Sequence, residues 1–229
     1  MLKSPAILFA FVAIAGITLA NGQMGMPGMK KKDHKPIKAD LKHVKCGVCK
    51  AAAREMHEQQ KALRLSNGKI KGGEEAVMPI VENICNPKEK EGQWTARFDL
   101  SFDKAAETIA LLDQGGIGHC KRECQTIAKS CADLIEDLDV DDLQVALWKG
   151  ISADKLSSKL CTKWSSACKK KQPKLKERKF DEEFQKKTKK DIEMDELMAN
   201  MQGMPGMGGM QMFSRDDIEE NLANLKDEM

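Results

Sequence analysis

The chain has 229 residues, of which 32% are charged, and its formal net charge at pH 7 is only +3. A charge this close to balance argues against a nucleic-acid-binding protein. The charge is unevenly distributed: residues 1–39 carry +5, residues 40–168 carry −1, residues 169–190 carry +7 and residues 191–229 carry −8. A nearly neutral body with biased ends is typical of one packed domain with solvated extensions, and we place that domain at residues 40–170.

The first 20 residues have the pattern of a cleaved secretory signal. They contain one early lysine, an uncharged apolar stretch from Ala6 to Ala20, and small residues before the expected cut, at Thr18 and Ala20. The alternative, an uncleaved membrane anchor, needs roughly 20 apolar residues, and this stretch is shorter. We expect a soluble mature protein in the secretory pathway, where disulfides form, beginning with a flexible leader over residues 21–39.

A helix is predicted from Leu41, because apolar or sulfur-containing residues recur on one face at Cys46, Cys49, Ala53, Met56 and Leu63. The dipeptide Asn67-Gly68 then predicts a tight turn. This turn would close a short hairpin between Leu65 and Ile70.

A second helix is predicted within residues 74–85, with Pro79 either bending it or beginning its regular part, and with Asn86-Pro87 ending it. A β insert is predicted at about residues 88–102. There, apolar residues alternate strictly with polar ones at Trp94, Ala96, Phe98, Leu100 and Phe102.

Three further segments have helical patterns. Residues 103–116 predict a helix that Asp103 caps and Gly115-Gly116 ends. Residues 152–168 predict another, capped by Ser152, with a buried stripe at Leu156, Leu160, Cys161, Trp164 and Cys168. Between them, one helical face would contain Cys124, Ile127, Cys131, Leu134, Ile135 and Leu138.

The C-terminal region, residues 171–229, is predicted to be a charged and Met-rich tail. The lysine-rich segment over residues 169–190 fits a charged helix, and the end of the chain from Ser214 fits a short amphipathic helix. Between them, "MANMQGMPGMGGMQM" contains too much glycine to hold one shape, so we expect order there only on binding.

All eight cysteines lie beyond the signal, and Cys46 and Cys49 form a CxxC motif. Zinc would need two such pairs, and the other cysteines and the histidines do not supply a second one. A thioredoxin-like site would need a strand before the CxxC, and no alternating pattern precedes it. An even number of cysteines in an oxidising compartment instead favours a disulfide framework.

The spacing of the outer cysteines indicates how that framework is joined. Cys46 and Cys49 lie three residues apart on the first predicted helix, and Cys161 and Cys168 lie seven apart on the last. Two antiparallel helices can then be joined twice, Cys46 to Cys168 and Cys49 to Cys161. Each bond would restrict the unfolded chain by at most about 5 kcal/mol in the entropic view.

These motifs resemble the saposin-like domains, whose six cysteines pair first with sixth, second with fifth and third with fourth. The resemblance is carried by "CGVCKAAAREM" at residues 46–56 and "KLCTKWSSAC" at residues 159–168. The Canopy family of MIR-interacting saposin-like proteins is similar in its strand-bearing insertion, in a segment like "ECQTIAKSC" and in its charged tail. The resemblance implies a mainly α, disulfide-stapled saposin B-type domain with a small β insert, flanked by flexible charged and Met/Gly-rich tails.

Three cysteines stand where the six-cysteine plan has one: Cys120, Cys124 and Cys131. Cys124 precedes "QTIAKS", where the family's fourth cysteine is expected, so our first choice is Cys85–Cys124, which leaves Cys120–Cys131. On a straight helix the last two would be about 16 Å apart, beyond the roughly 7 Å of a disulfide, so Cys120 must fold back from a loop. The alternative is Cys85–Cys131 with Cys120–Cys124.

No group of residues supports catalysis, so we expect a protein that is not an enzyme and has no cofactor. The family resemblance implies an endoplasmic-reticulum protein that assists folding or trafficking of client membrane or secreted proteins, beside larger luminal chaperones. One alternative is a saposin-type lipid or membrane binder, whose lysines 30–32 and 169–171 would approach anionic headgroups. The other is a thiol–disulfide redox helper that acts through Cys46 and Cys49.

Two C-terminal features bear on this function. The last four residues, Lys226, Asp227, Glu228 and Met229, match the Lys-Asp-Glu-Leu retention signal at three positions; if they are not read, the protein is secreted. Methionine suits promiscuous apolar contacts, so the methionines are candidate client-binding residues, with a plain linker as the alternative. These methionines are Met198, Met201, Met204, Met207, Met210 and Met212.

Overall fold

The structure, a computed structural model, describes residues 34–64, 69–70, 72–169 and 171–202. Within these ranges the chain is mainly helical, with a small two-stranded sheet, as the sequence predicts. Short 3-10 helices lie at Glu74–Val77 and Lys90–Arg97, and π-helical turns lie at Lys159–Trp164. The main elements are α1 (Leu41–Ala62), α2 (Met78–Asn83), β1 (Phe98–Asp103), β2 (Thr108–Asp113), α3 (Arg122–Glu136), α4 (Val140–Trp148), α5 (Ala153–Ser158) and α6 (Lys189–Gln202).

Helix α1 is the central element of the core and packs against α3, α5 and β2. Its middle is the run Ala51–Ala53, which combines the strongest helix former with a small side chain that lets other helices approach closely. On either side, Val44, Val48 and Met56 are fully buried. Burying each such side chain contributes roughly 1.5–3 kcal/mol, so the apolar stripe of α1 fixes its orientation in the domain.

Helix α4 is an element that our sequence analysis did not predict. Its first turn is capped by Asp139, whose carboxylate accepts hydrogen bonds from the backbone N–H groups of Asp141 and Asp142. Leu143 and Leu147, four residues apart, are fully buried. An N-cap aspartate followed by an i, i+4 leucine pair is a helix signal that was present in the sequence.

The β insert is an antiparallel hairpin, with Leu100 opposite Leu111 and Phe102 opposite Ile109. The strand predicted from Trp94 is therefore right only from Phe98 onward, because Trp94 belongs to the 3-10 helix before it. The side chain of Trp94 is held in place by a hydrogen bond: its indole N–H donates to the carbonyl of Ile84 at 2.7 Å.

The helix predicted over residues 103–116 is wrong, because Thr108–Asp113 forms β2. The apolar spacing of this segment fits either a helix or a strand, and pairing with β1 makes residues 108–113 a strand. Asp103 caps the hairpin turn instead of a helix, since its carboxylate accepts from the N–H groups of Ala105 and Ala106 at 2.8 and 3.0 Å. Gly115, with φ +65°, ends the hairpin in a conformation that suits glycine.

Two other predictions concern local turns. The structure pairs Arg64 with Ile70 in an isolated antiparallel bridge, and residues 65–68, which contain the predicted Asn67-Gly68 turn, lie outside the described residues. Pro79 lies in the first turn of α2, after the 3-10 helix, and so begins the regular part of that helix. Ser152 precedes α5, but its hydroxyl makes no capping hydrogen bond.

Residues 172–187, which we call the strap, do not form the predicted charged helix. They run without regular structure along the domain. The N–H of Leu175 donates to Glu107 O at 2.8 Å, His119 N–H donates to Gln185 O at 2.9 Å, and Lys187 N–H donates to Ile117 O at 2.9 Å. The domain boundary expected at residue 170 is therefore too early, and the strap belongs to the packed body.

Helix α6 begins immediately after the strap. The hydroxyl of Thr188 accepts from the N–H of Asp191 at 3.3 Å, while the Asp191 carboxylate accepts from the N–H of Thr188 at 2.8 Å. This reciprocal pair satisfies two backbone donors, as in a capping box. An ion pair between Lys187 and Asp195, at 2.6 Å, joins the first turns of α6 to the strap.

Candidate functional site

Two disulfides join α1 to residues 159–168, which we call the C-terminal segment. Cys161 lies in the π-helical turns, but Cys168 lies in a turn beyond them, so the helix predicted over residues 152–168 ends early, at Trp164. Cys46 is bonded to Cys168 and Cys49 to Cys161, with Cα–Cα distances of 4.8 and 5.7 Å. These are the two pairs that the spacing of the outer cysteines predicts. The CxxC cysteines are therefore not bonded to each other, and each one anchors a different point of the C-terminal segment to α1.

The first-choice pairing of the remaining four cysteines is wrong. The structure has Cys85–Cys131 and Cys120–Cys124, with Cα–Cα distances of 5.4 and 5.0 Å, rather than Cys85–Cys124 and Cys120–Cys131. Cys124 and Cys131 are seven residues apart, so they lie on the same face of α3, two turns from each other. Cys85, which follows α2, lies beside the later turn, and no residue pattern on α3 distinguishes the two turns.

The strap is held to the domain by a buried ion cluster centred on Arg178, whose side chain is only 2% exposed. Its Nε donates to Asp40 Oδ2 at 2.9 Å and its Nη2 donates to Glu123 Oε1 at 2.6 Å, while Nη1 donates to the carbonyl of Leu100. Glu123 also accepts from the N–H of Leu100 at 2.9 Å. One guanidinium thus connects the start of α1, the middle of β1, the first turn of α3 and the strap.

The two acids of this cluster are almost inaccessible to solvent. Asp40 is 3% exposed and Glu123 is 5% exposed. Burial raises the pKa of Glu123 to about 7, a rise that the Leu100 N–H and Arg178 oppose by stabilising the carboxylate. Burial lowers the pKa of Arg178, but the carboxylates of Asp40 and Glu123 outweigh it, so that its pKa is raised and it stays charged.

The sequence alone does not predict this cluster, because its partners are far apart along the chain. One signal was present: Arg178 is the only arginine among ten lysines in residues 169–190. A planar guanidinium can bind two carboxylates and a carbonyl at fixed angles, and a lysine cannot replace it in this arrangement. The single arginine in a lysine-rich segment thus pointed to a buried site.

A small pocket lies next to the cluster, between the strap and the start of α3. Its lining includes His119, Cys124, Glu182 and Phe184. The free volume of about 20 Å³ is enough for a water molecule. Pockets that bind small-molecule substrates have volumes of roughly 300 Å³ or more, so this pocket is too small to be a substrate site.

Several sequence predictions lie outside the described residues. These are the signal at residues 1–20 and the retention-like residues Lys226, Asp227, Glu228 and Met229. Among the candidate client-binding residues, Met198 and Met201 lie in α6, so the expectation that residues 198–212 hold no single shape is wrong for residues 198–202. The other four methionines follow residue 202. Earlier in α6, Met194 and Leu197 are 51% and 53% exposed, so this helix presents apolar side chains to solvent just before the Met-rich segment.

In the described part of the chain, no group of three or more His, Cys, Asp or Glu side chains is arranged to hold a metal ion. Over the same residues, no helix combines the length and the apolar character that a membrane crossing needs. All eight cysteines are disulfide-bonded in the structure.

Comparisons with protein-family models, with curated proteins and with solved structures find no match to this chain. The resemblance to saposin-like and Canopy proteins therefore stays a prediction from motifs. The function must be argued from the disulfides, the strap and the exposed surfaces.

Proposed function

We propose that this chain is a saposin-like luminal protein of the endoplasmic reticulum that binds client membrane or secreted proteins during folding or trafficking, beside larger luminal chaperones. This client role needs binding only, with no catalysis and no cofactor. The observation that carries this proposal is the disulfide framework, in which every cysteine is paired and three bonds join distant elements. Such frameworks are typical of proteins matured in an oxidising compartment.

The pairing also supports a saposin-like arrangement. When the short Cys120–Cys124 bond is set aside, the remaining six cysteines pair first with sixth, second with fifth and third with fourth. This is the order that the resemblance implies, with Cys131 instead of Cys124 as the fourth member. The Cys120–Cys124 bond is then additional to the six-cysteine pattern of saposin-like domains.

Client binding is assigned to α6 and the Met-rich segment that follows it. Met194 and Leu197 expose about half of their surface, in a helix otherwise rich in charged residues. Flexible, polarizable methionine side chains adapt to apolar surfaces of different shapes, which suits a protein with several clients.

The client-binding assignment can be tested by exchanging side chains without deleting backbone. A variant with glutamine at all six candidate methionines should lose client recovery after luminal cross-linking. The matched control has leucine at the same positions and should retain much of that recovery, because it preserves apolar surface. Equal recovery from both variants would favour a linker. The six positions are Met198, Met201, Met204, Met207, Met210 and Met212.

The location can be tested at the C-terminus. Removing residues 226–229 should send the protein into the medium, because the retention-like sequence is lost. The control Met229→Leu completes the Lys-Asp-Glu-Leu signal and should keep the protein in cells. Retention that does not depend on these four residues would show that the sequence is not read.

A saposin-type lipid binder is the less supported candidate. Such a protein must open its helices to expose apolar faces, but the apolar face of α1 is fully covered and two disulfides fix α1 to the C-terminal segment. The strap adds the Arg178 ion cluster across the same body. Flotation with vesicles that contain anionic lipids distinguishes the two, since a client-binding protein should stay unbound.

A further inference from the structure

The Cys120–Cys124 bond differs from the other disulfides in what it connects. Its cysteines are separated by 4 positions, against 46, 112 and 122 for the other bonds. Cys120 lies in the turn that leads into α3, and Cys124 lies in the first turn of that helix. Reducing this bond would leave the helices and strands joined as before, because Cys85–Cys131 still connects α3 to the end of α2.

The two sulfur-bearing residues differ in their accessibility. Cys120 is partly exposed, whereas Cys124 is only 4% exposed and lines the small pocket under the strap. Thiol–disulfide exchange needs an incoming thiolate in line with the S–S bond, and the attacked sulfur must be reachable. Cys120 Sγ is therefore the sulfur open to attack, and Cys124 Sγ is the leaving group.

Each sulfur has one nearby feature that stabilises a thiolate. Cys124 lies at the N-terminus of α3, a 15-residue helix, where the helix dipole favours negative charge and lowers a thiol pKa. Cys120 Sγ accepts a hydrogen bond from Gln125 Nε2 at 3.4 Å. Of the acids around Cys124, Glu123 has its carboxylate bound by Arg178 and by the N–H of Leu100. Glu182 of the strap lines the same pocket and accepts from the N–H of Glu123 at 3.3 Å, so it offsets part of the dipole at this helix end.

We propose that Cys120–Cys124 is a thiol–disulfide exchange site that oxidises pairs of cysteine thiols in a partner protein. In the first step, a partner thiolate forms a bond to Cys120 Sγ, and the Cys120–Cys124 bond breaks to release Cys124 as a thiolate. In the second step, the partner's other thiolate attacks the partner sulfur of this mixed disulfide and releases Cys120 as a thiolate. The partner loses two electrons and two protons, and the Cys120–Cys124 pair gains them.

This chemistry goes beyond the proposed client binding and does not require it. It also differs from the redox alternative at Cys46 and Cys49, because those cysteines hold α1 to the C-terminal segment. Their reduction would release the framework, whereas reduction at Cys120 and Cys124 leaves three framework bonds intact.

The order of reduction tests the site. Full-length protein is equilibrated in glutathione buffers of graded ratio, free thiols are alkylated, and labelled cysteines are quantified by mass spectrometry. Cys120 and Cys124 should be labelled together at a GSH²/GSSG ratio at least about tenfold lower than any other pair requires. Simultaneous reduction of all four bonds, or earlier reduction of Cys85–Cys131, would overturn the proposal.

Transfer is tested with a reduced peptide that contains two cysteines. The wild type should oxidise one peptide per protein, and the double variant Cys120→Ser, Cys124→Ser should oxidise none while keeping the wild-type circular dichroism spectrum. Gln125→Met, which keeps side-chain length but lacks the N–H donor, should slow the second step so that the mixed disulfide at Cys120 accumulates. A wild type that is reduced first but oxidises no peptide would refute the site.

A separate measurement tests whether client binding depends on the Cys120–Cys124 bond. Luminal cross-linking of the Cys120→Ser, Cys124→Ser variant should recover the same clients as the wild type if binding and exchange are independent. A failure of peptide oxidation thus contradicts the exchange site alone, and a failure of client recovery by the wild type contradicts the proposed function alone.

Discussion

Replacing Arg178 with methionine would remove the buried cation that joins the strap to α1, β1 and α3. Methionine keeps a long unbranched side chain, so the change removes charge and hydrogen bonds while limiting the cavity. The carboxylates of Asp40 and Glu123, 3% and 5% exposed, would then have lost their common partner. Leu100 O would also lose its guanidinium donor.

The expected loss of stability depends on pH. Removing one partner of a buried ion pair costs about 3–5 kcal/mol, and we expect a loss in this range at pH 8, where Glu123 is ionised. The pKa of Glu123 is already raised to about 7 with Arg178 present, and losing that cation raises it further. At pH 5 Glu123 is protonated in both proteins, so the remaining loss comes mainly from Asp40 and is smaller.

Urea unfolding of the non-reduced protein, followed by tryptophan fluorescence, measures the free energy of unfolding of the wild type and the variant at pH 5 and at pH 8. The matched control is Lys179→Met, which removes an exposed cation one residue away and should change the free energy of unfolding by less than about 0.5 kcal/mol. Tryptic cleavage in the strap should also be faster in the Arg178 variant. A loss below 1 kcal/mol, or an equal loss at both pH values, would refute the account of the cluster.

Three further predictions concern stability. The folded pKa of Glu123, about 7, lies above its ordinary value of 4.5, so the folded state binds more protons between these two pH values. The free energy of unfolding should therefore fall by up to about 3 kcal/mol as pH rises through this window. Glu123→Gln should lack this component, and a pH dependence equal to that of the wild type would contradict it. Leu147→Ala should cost about 2–5 kcal/mol in urea unfolding, against less than about 0.5 kcal/mol for exposed Val140→Ala; similar values would contradict the packing of α4. Changing Cys85 and Cys131 to serine should cost about 4 kcal/mol, roughly twice the entropic value for the four-residue disulfide, and the reverse order would contradict the framework.

The sequence predicts α1, α3 and the outer disulfides because local spacing determines them. In α1, the positions of Cys49, Ala53 and Met56 define one face, and that face is buried. The seven-residue separation of Cys161 from Cys168 suits a second helix antiparallel to α1; in the structure only Cys161 is in a helical turn, and both bonds still form. Helical periodicity and bond length therefore suggest this pairing, which is also the order that the saposin-like resemblance implies.

Other features depend on tertiary contacts that local spacing does not encode. Residues 108–113 contain apolar residues in a pattern that fits a helix face, and only pairing with β1 makes them a strand. The choice between Cys124 and Cys131 depends on which turn of α3 lies beside α2. Arg178 is buried because Asp40 and Glu123, separated from it by 138 and 55 positions, meet in space. A lysine-rich segment viewed alone favours a solvated helix.

The central claim, that this chain binds client proteins in the lumen of the endoplasmic reticulum, is tested most directly by cross-linking in intact cells. The full chain is expressed, proteins within contact distance are cross-linked, and those recovered with it are identified and compared with a luminal protein of unrelated fold. The account predicts enrichment of immature membrane or secreted proteins together with luminal chaperones. Recovery of no secretory-pathway protein above the control, or of cytosolic proteins alone, would contradict it.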